Sequence, residues 1–298
     1  MMRYKTSEIL TTITRKPVYV WRPDHIVRRI TRATQNTLDP VVTLPWGAQL
    51  CVERRDFTAA GIIRANVHEP AVTETMWRLT TDTDLALDIG ANVGYFTSLL
   101  ARRARRVIAF EPHPRTAQRL RMNAERWLGS VTVQERAASD VTGVAHLVEP
   151  LGFDRHTGIA HVVAETCGGE PSTYEVETVR LDEVVGDDNV GVLKVDVEGH
   201  EGAVLGGLAA ALKERRVRDV LFEALAPLPT TASECLVRNG YKIFSINERF
   251  RGAQLVSVDK AKSCWHAPMY LATVDPERAT ALVQPNGWHC LRPRRWRS

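Results

Sequence analysis

The chain has 298 residues, 44% hydrophobic and 25% charged, with a formal net charge of +4. This composition is typical of a globular protein with one large domain or one domain and an appendage. No apolar run is long enough to span a bilayer, and the N-terminus lacks the apolar segment of a secretory signal. Five scattered cysteines without a C-x-x-C pair predict reduced thiols in a cytoplasmic protein.

Residues 1–80 are predicted to form an N-terminal extension of short helices and strands that serves as a lid. The predicted pieces are helices at 7–14 and 24–34, strands at 41–44 and 48–52, and a helix that opens near Pro70. His68 and Glu69 precede this last helix, which leads into the first core strand. Both side chains are therefore expected near the substrate.

The stretch LALDIGANVGYF, residues 85–96, predicts a buried strand, a glycine turn and a helix that begins near Tyr95. Such a turn lets the backbone approach a ligand, and the helix N-terminus offers free N–H groups. A dinucleotide cradle would have G-x-G-x-x-G, but Asn92 and Tyr95 occupy the second and third glycine positions. The loop therefore argues against an NAD-dependent oxidoreductase, although a purely structural glycine turn stays open.

The next strand, residues 106–110, ends at Glu111, a little over twenty residues after Asp88. An acidic residue at this place can accept hydrogen bonds from both hydroxyl groups of a ribose. The alternative is a solvated charge at the end of a strand. The spacing from the glycine loop favours the ribose interpretation.

The remainder of the chain continues to alternate strands and helices, which predicts an α/β protein with a doubly wound, mostly parallel sheet. Strands are predicted at 131–135, 190–197, 217–223, 241–246 and 269–274, the last two forming an antiparallel edge. Residues 81–275 form the predicted main domain, with a substrate-side segment inserted at 143–178. Residues 276–298 are predicted to be a basic tail.

Charged residues interrupt the strand at 190–197, although a central parallel strand should be almost entirely apolar. Lys194 and Asp196 point the same way, and Glu198 follows the strand end. Three interpretations stay open. Lys194 and Asp196 form a structural ion pair; or Asp196 and Glu198 orient a ligand, with one of them or His200 as general base; or Asp196, Glu198 and Glu223 bind a divalent metal.

The ordered motifs DIGANVGYF, VIAFEP, RAASD, VETVRLDEVV and LKVDVEGHE resemble the FkbM family of class I S-adenosylmethionine (SAM)-dependent methyltransferases. The resemblance covers roughly residues 66–250. It implies a Rossmann-like, seven-stranded sheet and O-methylation of a hydroxyl group on a small molecule such as a polyketide or sugar. The resemblance assigns Asp88, Gly90, Asn92 and Gly94 to the cofactor loop, Glu111 to the ribose and residues near Ala138 to the edge of the adenine. The predicted cofactor site also includes Tyr95, Phe96, Pro112 and Asp196.

The K-x-D-x-E-G-x-E block is more specific to the family than the glycine loop. It supplies the catalytic candidates Lys194, Asp196, Glu198 and His200, with Asp196 or His200 preferred as general base. His68 is a reserve base, as is His113, which is expected at the surface. Glu223 is a candidate substrate contact, and no resident metal is predicted.

Several functional alternatives remain at this stage. The enzyme could methylate nitrogen or carbon, or the chain could be a non-catalytic SAM-binding protein that acts through its basic ends. Nucleic acid is a disfavoured partner, because no surface combines aromatic and basic residues for stacking. The acceptor could be linked to a carrier protein or a nucleotide, and a homo-oligomer is compatible with the sequence.

Overall fold

The computed structural model describes residues 39–127, 131–149, 160–163, 173–258 and 269–292. The helices predicted at 7–14 and 24–34 lie outside these ranges. The helices are α1 Phe57–Ala65, α2 Pro70–Leu79, α3 Tyr95–Arg103, α4 Pro114–Ala124, α5 Leu181–Val185, α6 Glu201–Gly206, α7 Ala209–Lys213, α8 Thr231–Arg238 and α9 Pro276–Leu282. The strands are β1 Val41–Thr43, β2 Gln49–Cys51, β3 Leu85–Ile89, β4 Arg106–Phe110, β5 Val131–Gln134, β6 Ala137–Ala138, β7 Gly143–Val148, β8 His161–Val163, β9 Thr173–Val179, β10 Val190–Val195, β11 Val217–Glu223, β12 Lys242–Arg249, β13 Gly252–Ser257 and β14 Met269–Thr273.

An eight-stranded sheet organises the described residues, in the order β13-β12-β14-β11-β10-β3-β4-β5. Strands β11, β10, β3, β4 and β5 run parallel, whereas β14, β12 and β13 are antiparallel. The predicted doubly wound, mostly parallel sheet with an antiparallel edge is therefore confirmed. The predicted count of seven strands was too low by one, because β13 extends the edge as a hairpin with β12.

Two apolar layers cover the two faces of this sheet, as the alternation of strand side chains requires. Leu85, Leu87 and Ile89 face the layer that contains α6 and α8. Ala86 faces the opposite layer, where α2, α3 and the β1–β2 hairpin pack. Asp88 lies two residues after Ala86, so its carboxylate points toward α3 rather than into the first layer.

Two indole groups attach the β1–β2 hairpin to the helical layer on one face of the main sheet. Trp46 Nε1 donates to Ser98 Oγ of α3 at 3.1 Å, and Trp127 Nε1 donates to the Gln49 carbonyl at 3.1 Å. Helix α1, which the sequence did not reveal, follows the hairpin. Asp56 caps it by accepting a hydrogen bond from the Ala59 amide.

The strands between β5 and β10 do not join the main sheet. The predicted inserted segment at 143–178 supplies most of a separate four-stranded sheet, β6-β9-β7-β8. His113 helps hold this sheet in place, since its Nε2 lies 2.6 Å from Glu149 Oε1 and its ring meets Tyr174 edge-on. The expectation that His113 lies at the surface was wrong, because this side chain is buried.

Residues 276–292 pack against helix α2. Glu74 of α2 is fully buried and accepts hydrogen bonds from the amides of His289 and Cys290 at 3.0 and 2.8 Å. Arg78 bonds to Glu74 and to the carbonyls of Leu282 and Gly287. Within the part of the chain that is described, no helix is long and apolar enough to cross a membrane.

Candidate active site

A cavity of about 680 Å³ opens at the carboxyl ends of the parallel strands, the usual ligand position in this type of sheet. Its volume is in the ordinary range for small-molecule sites. The predicted site residues on its wall are His68, Glu69, Gly90, Asn92, Tyr95, Phe96, Glu111, Pro112, Ala138, Lys194, Asp196, Glu198, His200 and Glu223. Asp88 and Gly94 are not on the wall but lie directly behind it.

Gly90 begins the loop at a point where a side chain cannot fit. Its φ is +76°, and a Cβ added there would lie 1.9 Å from the Asp196 carbonyl oxygen. The end of β3 thus packs directly on the end of β10. Gly94 has another role: with φ +95° it caps α3, and its missing Cβ leaves room for Leu120 and Trp127.

Glu111 lies on the cavity wall and is almost fully buried. Its Oε2 accepts a hydrogen bond from the Asn92 amide at 2.9 Å, and its Oε1 accepts one from the His113 amide at 3.0 Å. Burial raises the pKa of Glu111 to about 7, although these two amides favour the carboxylate. Each oxygen keeps a further lone pair for a ligand hydroxyl group.

Lys194 is the buried cation of the site. Its Nζ lies 3.0 Å from Asp196 Oδ2 and 3.6 Å from Asp88 Oδ1, and it sits over the Phe96 ring. Burial disfavours the ammonium form, but the attraction of Asp196 and Asp88 holds the pKa of Lys194 above its usual range. Asp88 also accepts from Thr97 Oγ1 at 2.6 Å. Burial nevertheless raises the pKa of Asp88.

Three carboxyl groups meet at the ends of β10 and β11. Burial, together with the charges of Asp196 and Glu198, raises the pKa of Glu223 to about 9. Burial also raises the pKa of Glu198 to about 7, with Asp196 and Glu201 contributing. For Asp196 the burial effect is outweighed by Lys194, which holds the pKa of Asp196 below its usual range.

The turn after β10 shows why the K-x-D-x-E-G-x-E block has a glycine at 199 and a glutamate at 201. Glu198 and Gly199 have φ of +52° and +96°, a conformation that is rare for a residue other than glycine. Glu201 Oε1 stabilises the turn by accepting from the amides of Gly199 and Val197 at 3.1 and 3.3 Å. No function was predicted for Glu201 from the sequence, although its place as the last residue of the K-x-D-x-E-G-x-E block could have indicated one.

The two histidines of the cavity occupy different places. His200 Nε2 lies 3.0 Å from Ser139 Oγ, beside Ala138, and burial lowers the pKa of His200. Tyr95 holds the loop that carries His68, because its hydroxyl group accepts from the His68 amide at 2.9 Å. Of the two imidazoles, it is that of His68 which interacts electrostatically with Asp196.

Several wall residues were not anticipated. They come from α1, from the small sheet and from the antiparallel edge, and include Ile62, Arg64, Leu147, Val162, Ser245, Asn247, Glu248 and Met269. No motif marks them, since their approach to the cavity depends on how distant strands pack. Among the described residues no group of three His, Cys, Asp or Glu side chains is arranged to hold a metal ion.

Comparison with known proteins adds independent information. The family model described as "Methyltransferase FkbM domain" matches residues 88–236, half of the chain. Hexuronic acid methyltransferase AglP of Haloferax volcanii is 32% identical over 136 residues, which cover 44% of this chain and 53% of that protein. The 31-O-demethyl-FK506 methyltransferase FkbM of Streptomyces tacrolimicus is 31% identical over 169 residues, covering 47% of this chain and 65% of that protein.

Two further matches are more distant. The AMB antimetabolite synthetase AmbE of Pseudomonas aeruginosa is 28% identical over 252 residues, 70% of this chain but 11% of that protein. A crystal structure of methyltransferase FkbM from Methylobacillus flagellatus covers 74% of this chain and 62% of its own, at 15% identity and a TM-score of 0.40. The chain thus spans about half to two thirds of the two methyltransferase relatives and a small part of the synthetase.

Proposed function

Since the chain belongs to the FkbM family of methyltransferases, we propose that it transfers the methyl group of SAM to a hydroxyl oxygen of a small molecule. The observation that carries this proposal is the set of carboxyl groups on Asp196, Glu198 and Glu223. They line one cavity together with the glycine loop. A hydroxyl group is a weak nucleophile until a positioned base takes its proton.

The residues of the cavity fit SAM. Glu111 offers free lone pairs to the ribose hydroxyl groups, and Gly90 and Asn92 bring the loop backbone to the cavity wall. Asp196 supplies a carboxylate for the ammonium group of the methionine part. When bound, SAM supplies an electrophilic methyl group on a sulfonium ion.

We assign the general base to Glu198. Its pKa of about 7 lies near neutral pH, where a base is most effective, and its side chain lies on the cavity wall. Asp196 is a poorer choice, because Lys194 stabilises its ionised form. His200 is also a poorer choice, since it bonds to Ser139 beside the proposed adenine position.

The residues on the N-terminal side of the cavity form the wall that covers the acceptor. His68, Glu69 and Val72 line this side, and the Tyr95 hydroxyl fixes the loop through the His68 backbone. A fixed wall orients the hydroxyl group and excludes water from the reacting atoms. The printed names of two relatives, a hexuronic acid methyltransferase and an O-demethyl-FK506 methyltransferase, support a small oxygen-bearing acceptor.

Calorimetric titration with S-adenosylhomocysteine (SAH), SAM and NAD tests the cofactor assignment. We expect both adenosyl compounds to bind and NAD not to bind. Glu111→Gln should weaken SAH binding, whereas Glu135→Gln, at a half-buried site in a surface ion pair, should not. Failure of SAH to bind the folded wild-type protein would refute the proposal.

Transfer of labelled methyl from SAM to a panel of sugars, polyketide alcohols and amines then tests the reaction. Products should carry an O-methyl group, as judged by their NMR spectra. Methylation of nitrogen or carbon would correct the acceptor atom, and binding without transfer would favour a non-catalytic role. A carrier- or nucleotide-linked acceptor, a homo-oligomer and a cytoplasmic location remain predictions.

A further inference from the structure

Glu223 and Asp196 leave neighbouring parallel strands at the same level. The register of β10 and β11 pairs Lys194 with Leu221 and Val195 with Phe222, so the next pair is Asp196 with Glu223. Parallel strands lie about 4.8 Å apart, which brings the two Cβ atoms close together. Both side chains point into the same cavity.

The two carboxyl groups therefore lie side by side on the cavity wall, where two negative charges would repel each other. A proton on one of them removes this repulsion and lets that carboxyl group donate a hydrogen bond to the other. Asp196 lies 3.0 Å from the ammonium group of Lys194, which favours its ionised form. Glu223 forms no ion pair among the described residues and faces the nearby carboxylates of Asp196, Glu198 and Glu69.

One carboxyl oxygen of Glu223 has an unusual environment. Oε2 is buried and has no hydrogen-bond partner within the described part of the chain. A charged oxygen without a partner would be costly to bury, whereas the carbonyl oxygen of a neutral carboxyl group is tolerated more easily. The environment of Oε2 therefore agrees with a proton on the Glu223 carboxyl group.

We propose that Glu223 is held as a neutral carboxyl group that donates a hydrogen bond to Asp196 and so fixes the Asp196 carboxylate between itself and Lys194. Glu223 is then a positioning residue, since it acts on the bound cofactor through Asp196. This inference rests on the proposed function, because Asp196 is assigned there to the ammonium group of SAM. It leaves Glu198 as the carboxylate that takes the proton of the acceptor.

The protonation state is measured directly by ¹³C NMR of protein labelled at the glutamate Cδ. The resonance that is absent from Glu223→Gln identifies Glu223. We expect it to titrate with a midpoint near 9, the value to which burial and Asp196 raise its pKa. In Asp196→Asn the midpoint should fall, since the neighbouring negative charge is gone. A wild-type midpoint near the ordinary value of 4.5 would overturn the proposal.

The positioning role is measured by SAH affinity at neutral pH. Glu223→Gln keeps a donor for Asp196 and should bind SAH about as tightly as the wild type. Glu223→Leu lacks the donor and should bind about tenfold more weakly, roughly the effect of one hydrogen bond to a charged group. Thermal unfolding of both variants checks that they are folded.

Two binding results would overturn the positioning role: Gln as weak as Leu, or Leu as tight as the wild type. The first would mean that an ionised Glu223 is required, and the second that Asp196 needs no support. If the wild type does not bind SAH, the proposed function fails instead. The NMR titration needs no ligand, so it still decides the state of Glu223 in that case.

Discussion

Replacing Lys194 by methionine tests whether this buried cation stabilises the fold as well as the site. Lys194 and Asp88 have side chains that are 2% and 0% exposed, so the variant leaves a fully buried carboxylate without its cation. Breaking a buried pair in this way costs about 3–5 kcal/mol. The cost has a ceiling, because Asp88 can instead take up a proton. Protonating a carboxyl group of ordinary pKa at pH 7 costs roughly 4 kcal/mol. We therefore expect the free energy of unfolding to fall by about 3–4 kcal/mol at pH 7.

Because Asp88 can take up a proton in Lys194→Met, the stability of the variant should increase relative to the wild type as the pH falls. Asp88 in the variant has a folded-state pKa above its unfolded value, so it binds more protons when folded. The deficit relative to the wild type should then shrink by about 1.4 kcal/mol for each unit of acidification, until the pH reaches the pKa of Asp88 in the wild type, which burial already raises above the ordinary value. Urea unfolding at a series of pH values measures this trend.

A matched control is Arg121→Met, which removes a cation from a partly exposed pair with Glu135. Exposed pairs contribute about 0–1 kcal/mol, so this variant should unfold almost like the wild type at every pH. If Lys194→Met were as stable as the control at pH 7, the buried-charge argument would be refuted. A deficit that did not shrink on acidification would show that Asp88 is not its source.

Three further changes have defined outcomes. Glu198→Gln should lower kcat by about 10²–10⁴-fold at unchanged SAH affinity. In the wild type, kcat should rise with pH up to about 7, as Glu198 loses its proton, and the variant should lack this rise. Gly90→Ala should abolish SAH binding in calorimetry, because the new Cβ would lie 1.9 Å from the Asp196 carbonyl oxygen. The control Gly143→Ala should bind SAH normally, because its new Cβ would have no atom within 4 Å. Glu74→Ala should lower the free energy of unfolding in urea by about 3–5 kcal/mol, since it breaks a buried ion pair and leaves two amides without an acceptor. A decrease below about 1 kcal/mol would show that Glu74 does not stabilise the packing of residues 276–292 on α2.

The sequence was most informative where a physical constraint acts locally. Gly90 and the charges on β10 stand out because a core strand should be apolar and a tight turn needs glycine. Both features lie at the cavity. Glu111 was found in the same way, from its spacing after a strand. Each of these signals depends on a few neighbouring residues and not on how distant segments pack.

Features that depend on long-range packing were harder to predict. The burial of His113 follows from Glu149, 36 residues away, and no local pattern indicates it. The sheet β6-β9-β7-β8 has alternating strands that would fit equally well at the edge of the main sheet. Likewise, the side-by-side placement of Asp196 and Glu223 depends on the register of two strands, which the sequence does not state.

The packing of residues 276–292 on α2 has a consequence for synthesis of the protein. Glu74 belongs to a helix that precedes the first core strand, but the amides that satisfy its carboxylate come from His289 and Cys290. A ribosome makes the helix more than two hundred residues before it makes these partners. Until then Arg78 of the same helix can bond to Glu74, but the two backbone amides are missing, so burying this carboxylate on the sheet is less favourable. Closure of this layer is therefore delayed until residues 276–292 have left the exit tunnel, when strands β3, β4 and β5 have long been available to fold.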